Sequence, residues 1–88
     1  MTAPAVARIG DPISHGGDIT GGSPDVKANS IGVARLGDAV NCVIHGEQTI
    51  TSASTTVEAN SRGVARVGDS ISCGATITGG SPNTFAGG

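Results

Sequence analysis

Apolar and polar positions alternate over very short stretches of this chain, and the stretches recur. Val6-Ala7-Arg8-Ile9, Val33-Ala34-Arg35-Leu36 and Val64-Ala65-Arg66-Val67 are β-compatible runs, each ended by the turn signal Gly-Asp. A second short strand is predicted around Ile19-Thr20, Ile50-Thr51 and Ile77-Thr78, leading into Gly-Gly-Ser-Pro or its polar equivalent. A third candidate is Val-(Lys/Glu)-Ala-Asn-Ser, at 26–30 and 57–61, closed by Gly32 or Gly63. Helical periodicity is absent over any useful window. The pattern predicts an all-β, loop-rich domain of three wraps.

The recurrence is an internal repeat, and it governs the fold. Arg35 lies 27 residues after Arg8, and Arg66 lies 31 residues after Arg35. The four extra residues fall just after Cys42. His15 and Cys73 stand four positions before Ile19 and Ile77, whereas Cys42 stands eight before Ile50. The tails align too: Gly21-Gly22-Ser23-Pro24 matches Gly79-Gly80-Ser81-Pro82, with Ser52-Ala53-Ser54-Thr55 between them. The expectation is one domain over residues 1–88, in repeats of about 4–31, 32–62 and 63–88.

The phrase Gly-Asp-x-x-x-(His or Cys) occurs once per repeat and ends on His15, Cys42 and Cys73. Wrapping equivalent segments about one axis brings these three side chains together. His45, carried by the insertion, supplies a fourth, and Cys42-x-x-His45 places a thiolate and an imidazole within reach of one metal ion. Two sulfurs and two nitrogens favour zinc, and four protein ligands leave no open position, so the expected site is structural. The alternatives are unrelated buried thiols, a Cys42–Cys73 disulfide, and a catalytic zinc with Glu47 or Asp18 as base.

Composition agrees with a stapled fold. The 88 residues are 36% hydrophobic with one Phe, no Trp or Tyr, and 15 Gly. So small a chain buries little apolar surface and loses much backbone entropy, which calls for a metal, a disulfide or a partner. Net charge is −2 with no basic cluster, against nucleic-acid binding. No secretory signal or membrane span is legible, so folding in a reducing cytoplasm is expected, where cysteines serve metals more than disulfides. Arg8/Asp11, Arg35/Asp38 and Arg66/Asp69 are read as structural, either pairing across neighbouring units or with each Asp accepting turn amides. The Gly-Gly-Ser-Pro segments are read as turns and not phosphate cradles, and Asn29 and Asn60 as turn residues.

The repeated Ala-Arg-x-Gly-Asp phrase, with His/Cys positions and Gly-rich turns, resembles the PAAR-repeat proteins over essentially the whole chain. Only the Ala-Arg portion of Pro-Ala-Ala-Arg is kept, in Ala5-Val6-Ala7-Arg8, Gly32-Val33-Ala34-Arg35 and Gly63-Val64-Ala65-Arg66. The resemblance implies a small conical β domain with one zinc near its apex, held by His15, Cys42, His45 and Cys73. It further implies a non-enzymatic cap, one per trimer, on the VgrG spike of a type VI secretion system or on a contractile phage tail spike. Such a cap leads the spike through a target membrane and in some relatives carries effectors. Since the sequence ends at Ala86-Gly87-Gly88, a bare cap or a non-covalent effector adaptor is expected. A small zinc-dependent hydrolase is the less favoured alternative, and no spike-contacting residues are assigned. Assembly in the bacterial cytoplasm followed by secretion is the expected itinerary.

Overall fold

The computed structural model describes residues 4–86; the predicted domain ends at 1–3 and 87–88 lie outside them. Its strands are β1 (Gly17–Ile19), β2 (Lys27–Ala28), β3 (Ile31–Gly32), β4 (Ala39–Cys42), β5 (Gly46–Thr49), β6 (Glu58–Ala59) and β7 (Arg62–Gly63). No helix occurs among the described residues. The order β1-β4-β5 forms one antiparallel sheet, and β2-β3 and β6-β7 form two hairpins.

The expected first strands do not extend into ladders, because each run changes partner at every step. Val6 bridges Arg66, Arg8 bridges Val33, and Arg35 bridges Val64. Between these bridges the Ala7 amide donates to the Ala65 carbonyl, Ala34 to Ala7, and Ala65 to Ala34, each at 2.9 Å. The three bonds close a ring about a quasi-three-fold axis. All three alanines are fully buried, and only a methyl group suits a place where three backbones converge.

Apolar residues stack beyond the ring. Ile19, Ile50 and Ile77 occupy equivalent places, as do Ile13, Val40 and Ile71, all in one buried cluster that also contains Cys42 and Ala75. In β4 the alternation Ala39-Val40-Asn41-Cys42 turns Val40 and Cys42 inward and Asn41 outward. Burying a side chain of isoleucine size contributes roughly 1.5–3 kcal/mol, so this small column carries much of the apolar stabilisation. A second buried cluster comprises Val6, Val33 and Val64 with Ala28, Ala59 and Ala86.

The third strand candidate is shorter than expected. Asn29 and Ser30 have φ of 54° and 66°, and Asn60 and Ser61 repeat those values. Two successive left-handed residues make a two-residue hairpin turn, so the strand ends at Ala28 or Ala59 and returns. The corresponding hairpin of the last unit is built from two segments far apart in sequence. Ala5 bridges Phe85, and the Val6 amide reaches the Thr84 carbonyl as Val33 reaches Val26 and Val64 reaches Val57. The principal extents are 30 × 29 × 21 Å; the two near-equal widths are what three similar units around an axis produce.

The Arg/Asp sets pair within one unit, not across neighbours. Asp38 Oδ2 accepts both the Arg35 backbone N–H and Nε at 2.8 Å, while Oδ1 accepts Nη2 at 3.0 Å. The other two pairs repeat this clamp. It closes a turn through Gly10, Gly37 or Gly68, all at positive φ. Units are linked instead by the rest of the guanidinium: Arg35 donates to the Gly22 carbonyl and to Asn60 Oδ1, which also accepts from Ser23. Arg8 does the same with Gly80 and Asn29, and Ser81 donates to Asn29. Asn29 and Asn60 therefore tie neighbouring units together as well as turning the chain.

Candidate metal centre

The same local device delivers each repeated donor. After His15 the chain turns through Gly16 and Gly17, at φ 79° and 108°, and after Cys73 through Gly74, at φ 92°. Gly17 is needed twice over: its φ is left-handed, and a Cβ there would overlap the Asn41 carbonyl oxygen. That close approach lets β1 pair with β4, with Gly17 opposite Cys42. In the second unit the reversal is delayed. Cys42 ends β4, the residues 43–45 follow, and Gly46 at φ 80° opens β5 opposite Cys42.

The register supports the inferred insertion. Pro12 pairs with Asp18, Ala39 with Thr49, and Ser70 with Thr76. Counting inward from these equivalent pairs places His15, Cys42 and Cys73 at one position and leaves 43–46 as surplus. The longer hairpin brings His45 back over the other three.

One donor atom each from His15, Cys42, His45 and Cys73 lies within 4.8 Å of every other. Cys42 Sγ is 3.9 Å from His15 Nδ1 and 3.6 Å from His45 Nδ1, and Cys73 Sγ is 3.8 Å from His15 Nδ1. A tetrahedron with metal–sulfur bonds of about 2.3 Å and metal–nitrogen bonds of about 2.0–2.1 Å has sulfur–nitrogen edges of roughly 3.6 Å. The four residues are thus close enough, and of the right chemistry, to hold one metal ion. Both cysteines are free thiols, not a disulfide.

Electrostatics around Cys42 favour the ligating form. Burial pushes its thiol up, but hydrogen bonds from the His45 side chain, the backbone amides of His45 and Ile44, and Cys73 outweigh that and bring it down to about 6. The two amides were not singled out from the sequence, although the Cys42-x-x-His45 spacing that wraps a short turn around the sulfur was visible there. Asp18 and Glu47, weighed as bases, flank Asn41 in register across the sheet. They are exposed on the face opposite Cys42, and neither belongs to the donor group.

Fold and centre together define a small three-wrap β protein with a four-donor group built from all three wraps. The family model for the PAAR motif matches residues 9–79, most of the chain. The protein belongs to the PAAR-motif family, structural proteins associated with the VgrG spikes of type VI secretion systems. No curated protein matches it.

Proposed function

We propose that the chain is a non-enzymatic tip that caps and sharpens a trimeric VgrG-type spike, one cap per trimer, aiding membrane puncture and effector delivery. The carrying observation is the closed ring of Ala7, Ala34 and Ala65 amides. One chain with three quasi-equivalent units about an axis fits a three-fold partner without a symmetry clash, and membership of the PAAR family points to that partner. The whole chain is taken as one domain with repeats at about 4–31, 32–62 and 63–88.

In this reading His15, Cys42, His45 and Cys73 ligate a single structural zinc. The ion when bound supplies a cross-link between the wraps, worth roughly 10–16 kcal/mol in small zinc peptides, against about 5–15 kcal/mol for the net stability of a typical domain. With all four protein donors engaged no position is left for substrate, which supports a structural role. Assembly in the bacterial cytoplasm precedes secretion or delivery, with only transient contact with the target membrane.

The test is native mass spectrometry of the purified chain alone and mixed with the purified spike. One zinc per chain and one chain per three spike subunits are expected. Absence of any complex removes the capping role, and a folded chain free of metal removes the zinc.

A further inference from the structure

The four donors are not equivalent in burial or in the support of their backbone. Cys42 is 1% exposed and sits in the core cluster. His15 and Cys73 are half-buried, and His45 is exposed. The first three occupy the repeated position, and the residues flanking them are held by bonds within their own turns and to other units. The Gly16 amide donates to Ile13, Gly74 to Ile71, Val43 to Gly16, and Ser14 to Thr76. His45 belongs only to the inserted turn.

That turn packs little against the body. Val43 and Ile44 are 73% and 64% exposed, the most exposed large apolar residues in the described chain. A Cβ added at Gly46 would meet nothing within 4 Å. The turn is nevertheless anchored independently of the His45 ring, because Gly46 pairs with Cys42, the Val43 amide donates to the Gly16 carbonyl, and Gln48 Nε2 donates to the His45 carbonyl. The imidazole can therefore rotate away by χ1 and χ2 while its backbone stays in place. No comparable freedom exists at Cys42, whose displacement would open the core.

Resting on the metal-binding reading above, we infer that His45 is a dissociable fourth ligand. His15, Cys42 and Cys73 form a preorganised three-ligand seat, and the position that His45 covers faces solvent. When His45 turns out, that position accepts a small monodentate donor such as azide, and the ion exchanges by this route. The insertion is thus a clasp over a seat that the three repeats complete without it.

The experiment compares wild type, His45→Ala and Cys42→Ser, loaded with zinc or with cobalt as a spectroscopic substitute. Metal content, circular dichroism, release to a chromogenic chelator, and the visible cobalt spectrum with and without azide are measured. Expected is a folded His45→Ala chain with about one metal ion, releasing it at least on the order of tenfold faster than wild type. Azide should shift its cobalt spectrum and leave the wild-type spectrum unchanged at the same concentration. Cys42→Ser should lose metal and fold together.

Three outcomes overturn the inference. They are loss of metal or fold in His45→Ala to the extent seen in Cys42→Ser, an unaltered release rate, or a cobalt spectrum indifferent to azide. A wild-type chain that takes up no metal instead defeats the underlying reading, so the two failures are distinct.

Discussion

At the level of single residues, the donors His15, Cys42 and Cys73 were legible because equivalent positions in a repeat must meet on its axis. His45 was legible as the only donor in the only insertion. What escaped the sequence was the surroundings of the Cys42 sulfur, since the direction of the Ile44 and His45 amides depends on the path of the turn. Those amides bear on pH. The folded thiol titrates at about 6, below its ordinary value of 9.0, so the fold favours the thiolate. The contribution to the metal-free chain is full above about pH 9 and is lost as pH falls through about 6. Metal binding then competes with a proton on Cys42 only below about 6. Competition titration should find apparent affinity falling at least roughly tenfold per unit in that range. A fall that already begins near pH 9, attributable to Cys42, would contradict this account.

Among the elements, the Gly-Asp turns and the turn role of Asn29 and Asn60 were legible, whereas Ser30 and Ser61, read as strand, belong to the turn, and the pairings of these turns were less predictable. Asp38 accepts the Arg35 backbone amide as well as its guanidinium, while Asn60 carries the link to Ser23 of the neighbouring unit. A sequence lists Arg, Asp and Asn at fixed spacings, but which unit lies beside which is decided by how the wraps close. Asp38 is buried, so Asp38→Ala leaves the Arg35 charge and amide without their partner. Urea unfolding should register a loss of about 3–5 kcal/mol. Asp38→Asn should cost less, because its carbonyl oxygen still accepts the Arg35 amide. Equal losses in the two variants would place the stabilisation in the ion pair alone.

For the whole molecule, three wraps were foreseeable from the offsets, whereas the ring of Ala7, Ala34 and Ala65 was not. Alanine gives no periodic signal, and a bond between residues so far apart has no local signature. Each amide of the ring is held by a different unit, so none is freed by fraying of one hairpin. Hydrogen exchange should therefore proceed at these three amides only through global unfolding. The amides of hairpin β2-β3 should exchange at lower free energy, and comparable protection at both places would argue against the ring as the centre of cooperativity.

The pairing of Ala5 with Phe85 has a consequence for biogenesis. It makes neighbours of residues that emerge far apart in time during synthesis. On the ribosome, Ala7 must wait for Ala65 and Val6 for Thr84, so an emerging chain has no subset of wraps that can complete the axis. All four candidate metal donors have emerged before that seam closes. The ring therefore cannot close before Ala65 has emerged, nor the seam before Thr84, and a chain cut short of Ala65 leaves the Ala7 amide without its partner.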